Sequence, residues 1–134
     1  MAEGYGAQGM VGRLRRVLMR RPGEAMAAAD PREWHYTEAI DVEEARRAHD
    51  AFADALRAWG VEVLYHDEPL PDHSDSVFVF DPALVTDRGT LLLSMGKEKR
   101  RGEEEPLGRA LQECGVPVYG RLEGQARAEG GDTM

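Results

Sequence analysis

An α/β fold is what this sequence predicts, on three observations. A helix with one apolar stripe runs into a glycine and then a β-rich run across residues 42–65. The same grammar returns 55 residues later: Ala55-Leu-Arg-Ala-Trp-Gly-Val-Glu-Val63 aligns with Ala110-Leu-Gln-Glu-Cys-Gly-Val-Pro-Val118, identical at five of nine positions. Such self-similarity marks an internal structural repeat. Between the two helices lie short apolar runs separated by turn residues, so each helix folds back on strands. With 134 residues, 42% of them hydrophobic, the chain is sized for one domain over 11–134 with its own core.

Residues 1–10 carry three glycines and no apolar period, and read as a flexible leader outside the fold. Val11, Leu14, Val17, Leu18 and Met19 predict a strand that Pro22-Gly23 stops. Its arginines, Arg13, Arg15, Arg16, Arg20 and Arg21, read as an exposed strand face. A nucleic-acid stripe would need aromatic platforms and a basic chain. Residues 22–40, with Pro22, Gly23, Pro31 and no period, predict a long ordered loop able to act as a lid, anchored by Trp34, His35 and Tyr36.

Asp41 is placed to cap a helix, with Glu43 and Glu44 in the first turn, where the helix dipole favours negative charge. Val42, Ala45, His49, Phe52, Leu56 and Trp59 recur at steps of three and four as its apolar stripe. His49, with no second ligand on that face, reads as a packed histidine. Gly60 ends the helix and 61–65 follow as a strand. Runs 77–80, 83–86 and 90–94 predict two or three strands joined by tight turns. Glu103-Glu-Glu-Pro-Leu107 opens the second helix, its glutamates read as a solvated first turn. Cys114 falls in the register of Trp59, a packing position at the helix end. A strand over 116–118 follows.

Seventeen basic against 25 acidic residues leave a net charge of −8, a field that disfavours nucleic acid and favours cationic ligands. Residues 1–35 alone are basic, with six positive side chains against four negative. A lone cysteine can form neither an internal disulfide nor a multi-thiolate metal centre. No apolar run is long enough to cross a bilayer and no secretory signal opens the chain, so the expected location is cytoplasmic, with no membrane partner. His66 and His73, with Asp67, Asp72 and Asp75, match no standard ligand spacing, and the expectation is no metal site.

The segment Asp75-Ser-Val-Phe-Val-Phe-Asp81 holds the clearest chemistry. On a strand its two carboxylates, six residues apart, point the same way. Two acids beside an apolar edge suit a guanidinium, whose forked donors carboxylates accept in pairs and whose plane an aromatic face can cover. Both aspartates also fit as turn residues at the two strand ends, the commoner use of aspartate. From these residues alone both readings stand.

That segment, the later Lys99-Arg100-Arg101 and the terminal Glu129-Gly-Gly-Asp132 resemble, in order and spacing, successive motifs of the guanidino-group-modifying, or pentein, superfamily. Val17-Leu-Met-Arg-Arg-Pro-Gly23 resembles its first strand and turn. The superfamily includes dimethylarginine dimethylaminohydrolases, arginine deiminases and amidinotransferases. The resemblance implies an α/β propeller of strand-strand-helix-strand modules, about two of five plus the start of a third. It implies that Phe78 and Asp81 pack on and bind a substrate guanidinium, Asp81 counting with Glu129 as a catalytic acid. Asp75 and Arg100 become substrate-binding residues, and Asp132 closes the last motif. Phe80 stands where dimethylarginine hydrolases tend to carry a glutamate, a departure that bears on the substrate.

In this superfamily a cysteine thiolate attacks the guanidinium carbon and an amine leaves with a proton from histidine, without metal or organic cofactor. The motifs that carry that histidine and cysteine follow Glu-Gly-Gly-Asp, and neither Cys114 nor His35, His49, His66 or His73 aligns with them. The resemblance therefore implies the N-terminal part of a guanidino-modifying enzyme, inactive alone, binding an arginine-like cation and pairing with a second copy or a missing C-terminal half. A non-catalytic guanidinium-binding or interaction module is the alternative, and an acidic scaffold without a ligand the third.

Overall fold

Two parallel strand pairs, each joined by a helical crossover, organise the chain. The computed structural model describes residues 4–7 and 9–133. In the first unit β1 (Arg16–Met19) pairs in parallel with β2 (Glu62–Tyr65), Val17 opposite Val63 and Leu18 opposite Leu64. Two short helices, α1 (Glu24–Ala27) and α2 (Pro31–Trp34), and the long α3 (Val42–Ala58) make the crossover. In the second unit β3 (Ala83–Thr86) pairs antiparallel with β4 (Gly89–Leu92), and β4 pairs in parallel with β5 (Val118–Arg121) across α4 (Glu104–Glu113). The two sheets are separate.

The repeat in the sequence is one backbone device used twice. Gly60 and Gly115 both adopt left-handed φ, +80° and +86°, which glycine tolerates without a Cβ penalty. At each, the following valine N–H reaches back five residues to a leucine carbonyl: Val61 to Leu56 O at 3.1 Å, Val116 to Leu111 O at 2.9 Å. Gly60 N–H bonds Arg57 O and Gly115 N–H bonds Gln112 O, completing the glycine helix stop in both copies. Ala83, Leu92, Leu107, Leu111 and Val116 form the core of the second unit, and Leu18 of β1 packs against it.

The structure corrects several elements. The predicted strand over 77–80 is absent: Ser74–Val77 is a 3-10 turn, and Phe78 and Asp81 N–H bond Asp75 O and Phe78 O. Local turns thus consume donors that a strand ladder would need, and Pro82 offers none. The strand over 11–19 shortens to Arg16–Met19, leaving Val11 and Leu14 exposed. Its arginines are not simply an exposed face, because Arg16 pairs with Glu62, Arg21 with Asp50, and Arg20 donates to the carbonyls of His66 and Glu68. The segment 22–40 contains α1 and α2, the latter capped by Asp30.

On α3 the Asp41 carboxylate accepts from Glu43 and Glu44 N–H at 3.0 Å, as its cap position requires. The buried row passes through Ala53, however, leaving Phe52 58% and Trp59 84% exposed. Steps of three and four admit both neighbours of a row, and size misled the choice. Cys114 is half-buried where Trp59 is not. Of the leader, residues 1–3 and 8 lie outside the described residues, while Tyr5 packs against the core. Among the described residues no helix is long and apolar enough to cross a membrane.

Candidate functional site

The three sequence motifs meet. Glu129 precedes a 3-10 turn, Gly130–Asp132, in which the Glu129 N–H donates to Asp132 Oδ2 at 3.1 Å. The Glu129 carboxylate accepts from the N–H of Gly96 at 3.1 Å and of Lys97 at 3.2 Å. Gly130 N–H bonds Asp81 O at 2.9 Å. That approach needs glycine, since a Cβ there would sit 2.2 Å from Phe80 O. The third motif is thus tied by a backbone bond to the first and through the Glu129 carboxylate to the loop that leads into the second.

Asp75 is 6% exposed, buried at the 3-10 turn. It accepts from the Tyr36 hydroxyl and pairs with Lys97 Nζ at 2.5 Å. Burial first, and then the bond to Asp75, pushes the Tyr36 phenol up to about 12. Lys97 and Lys99 place their ammonium groups 5.1 and 5.2 Å from the Trp34 ring centre, a cation–π pair on one indole. Lys99 also pairs with Glu33 at 2.8 Å. His35 takes left-handed φ, +62°, at the end of α2, turning the chain so that Tyr36 reaches Asp75. Part of the expected lid is therefore pinned to the site.

Asp81 takes a different partner, so alternation along one strand does not bring the two aspartates to a common ligand. Arg100 Nη1 donates to Asp81 Oδ2 at 2.5 Å and Nη2 to Phe78 O at 3.0 Å. Its guanidinium carbon stands 6.0 Å from the Phe78 ring centre. The rest of the fork goes to Glu103, Nη2 at 2.7 Å and Nε at 3.1 and 3.2 Å to the two oxygens. Burial alone would lower Arg100, but the bonds to Glu103 and Asp81 outweigh it and hold the guanidinium above its usual value. Burial pushes Glu103 up while Arg100 pulls it back; three short contacts to a guanidinium fit the ionised carboxylate.

Glu103 is the residue that sequence reasoning missed. It is 2% exposed, not the solvated helix start its two following glutamates suggest. The i,i+3 spacing from Arg100 was the available signal. Lys97 has no local pattern to mark it, and Trp34 reads from the sequence only as an anchor of the 22–40 loop. Phe78 and Phe80 stand exposed beside Asp81, which keeps a quarter of its side chain in solvent. An arrangement of acids and aromatic faces of this kind can hold a planar cation.

Cys114 is the C-cap of α4, and burial pushes its thiol up, which keeps it protonated at neutral pH. His73 Nε2 lies 2.9 Å from Arg101 O, and burial pulls His66 down to about 4. Among the described residues no three His, Cys, Asp or Glu side chains converge as a metal cluster. A cleft of about 250 Å³, bounded by Arg20, Met26, Leu70, His73 and Val77 among others, includes none of Asp75, Asp81, Arg100 or Glu129.

A family model described as N,N dimethylarginine dimethylhydrolase, eukaryotic, matches residues 23–134. The N(G),N(G)-dimethylarginine dimethylaminohydrolase of Pseudomonas aeruginosa is 36% identical over 96 residues, covering 70% of this chain and 37% of that protein. A structure of the hydrolase from P. aeruginosa, a cysteine-to-serine mutant complexed with citrulline, superposes with a TM-score of 0.69 at 28% identity. That match covers 90% of this chain and 46% of the other. AgrE in complex with L-arginine, at 19% identity and a TM-score of 0.67 over 87% of this chain and 17% of its own, shares the fold. The chain thus spans less than half the length of each.

Proposed function

This chain belongs to the N,N-dimethylarginine dimethylaminohydrolase family, within the guanidino-group-modifying superfamily, and on that premise we propose that it supplies the guanidinium-holding part of an enzyme acting on arginine-like substrates. The observation that carries this reading is the convergence of the acidic motifs: Gly130 N–H on Asp81 O, and Glu129 on the backbone of Gly96 and Lys97, whose side chain holds Asp75. In this reading Asp81, beside the exposed Phe78 ring, accepts the substrate guanidinium with the oxygen that Arg100 does not take. Glu129 serves as the acid that pairs with histidine or substrate. Asp75 receives a second cationic group of the substrate, exchanging it for Lys97. Asp132 fixes Glu129 by accepting its N–H.

Arg100 takes a positioning role here in place of substrate contact, because its fork is already filled by Asp81, Phe78 O and Glu103. The catalytic thiolate comes from outside these 134 residues, since Cys114 is the only cysteine and burial keeps its thiol protonated. The chain alone then binds and does not hydrolyse. The two helix-glycine-strand units are read as successive propeller modules. The open edges of a two-stranded parallel sheet offer the join to the rest of such a propeller or to a second copy.

Amide chemical-shift mapping with arginine and dimethylarginine tests the reading. Shifts centred on 78–81, 96–101 and 129–132 are expected. Saturable shifts confined to 20–26 and 69–71, around the separate cleft, would overturn it.

A further inference from the structure

Lys97 lies between the first and second sequence motifs, belongs to neither, and touches all three. Its N–H donates to the Glu129 carboxylate at 3.2 Å, its carbonyl accepts from Arg100 N–H at 3.0 Å, and its ammonium group reaches Asp75 Oδ2 at 2.5 Å. Holding a lysine side chain in one place costs rotamer freedom that an exposed pair barely returns. This pair is not symmetrically exposed, however. The Asp75 side chain is 9% and the Lys97 side chain 34% exposed, so a mobile base sits on a buried acid.

That asymmetry fixes how Asp75 can be reached. Its Oδ1 accepts from the Tyr36 hydroxyl, whose oxygen also lies 2.7 Å from Ser74 Oγ, so the phenol is held at two points. Its Oδ2 holds only the Lys97 ammonium. A second cation brought to that oxygen meets a like charge at contact distance, and the two repel. Exchange is therefore the way in, and the lysine is the group that leaves. Its release needs little movement, because Glu129 and Arg100 hold the backbone of residue 97 and the Trp34 ring centre already stands 5.1 Å from Nζ, within cation–π reach. Without Lys97 an empty Asp75 would be a buried carboxylate lacking a counter-charge, which is costly. With it, a ligand gains only the difference between its own contact and the one it displaces.

We infer that Lys97 is a built-in competitor for Asp75: its ammonium group occupies the carboxylate in the empty protein, and a ligand cation enters only by displacing it. The inference rests on the proposed guanidinium site and deepens it by naming what regulates one of its acids. Asp75 is where a cation is held, and Lys97 sets the concentration at which that happens.

The test follows the carboxyl carbons of Asp75 and Asp81 by NMR as methylguanidine is titrated into the full chain. Lys97→Met keeps the side-chain length and removes its charge. It should lower the concentration that half-saturates Asp75 by about tenfold, the gain from freeing a site blocked about nine-tenths of the time. The value for Asp81 should stay within about twofold of wild type. Lys99→Met removes the same charge from the Trp34 ring without touching Asp75, and should leave the Asp75 value within about twofold. Lys97→Arg keeps a cation on Asp75, and its forked donors should raise the half-saturating concentration there by about threefold. If Lys97→Met does not fold, Lys97→Arg decides alone, and a value that does not rise overturns the competitor. An Asp75 response at the wild-type concentration in Lys97→Met, or a response of Asp81 alone in every protein, would also overturn it and leave the guanidinium site standing. A response at neither carboxylate in any of the proteins would overturn both.

Discussion

Replacing Glu103 by alanine strands a buried guanidinium, and the cost can be worked from the geometry. The Glu103 side chain is 2% and the Arg100 side chain 6% exposed, and Arg100 places both Nε and Nη2 on the carboxylate. Breaking one side of a buried pair costs about 3–5 kcal/mol, because the remaining charge is left in a medium that solvates it poorly. Arg100 keeps Asp81 and the Phe78 carbonyl, so the lower end applies, about 3 kcal/mol. For a chain of this size that lowers Tm by about 10 °C. The assay is urea unfolding followed by circular dichroism, with Glu105→Ala as the control. Glu105 pairs with Arg121 where both side chains are about half exposed, and its loss should stay within about 0.5 kcal/mol. A Glu103→Ala loss below about 1 kcal/mol would refute the reasoning, since Arg100 would then be escaping to solvent at little cost.

Two further outcomes follow from other parts of the fold. Burial holds His66 at about 4 against an ordinary 6.5, so the unfolded chain takes up its proton first as pH falls, and stability present above 6.5 should decline towards 4 by about 3 kcal/mol. His66→Gln should flatten that part of a stability–pH curve, and an unchanged slope would place its origin elsewhere. Gly89→Ala forces a left-handed φ of +117° on alanine and sets its Cβ 2.3 Å from Pro117 O, so the junction of β4 and β5 must open; a loss of about 2–3 kcal/mol in chemical unfolding is expected.

What was legible in the sequence was local grammar. Asp41 as a cap and Gly60 and Gly115 as helix stops depend on a few neighbouring residues, and each is where its chemistry requires. The 55-residue repeat was readable because the same glycine stop recurs with the same flanking valines. The segment 75–81 misled because Val, Phe and alternation favour a strand, while the donors of Phe78 and Asp81 are taken by turns that only the packed context selects. Glu103 was hidden by Glu104 and Glu105, since three consecutive acids look alike until one is buried on Arg100. The pinning of Asp75 by Tyr36 and Lys97 joins segments 39 and 22 residues apart, and no local period announces it. The motifs are legible only through their resemblance to a family; what joins them is one backbone bond, Gly130 N–H to Asp81 O, and the side chains of Arg100 and Glu129.

The measurement that bears most directly on the central claim is calorimetric binding of arginine and dimethylarginine to the wild-type chain and to Asp81→Asn. The variant keeps the shape of the side chain and removes its charge, so a charge-assisted contact worth about 1.5–3 kcal/mol is lost. Saturable binding to wild type, weakened by about 10- to 100-fold in Asp81→Asn, is the predicted result. Equal affinity in the two proteins would contradict the assignment of Asp81 as the residue that holds the guanidinium.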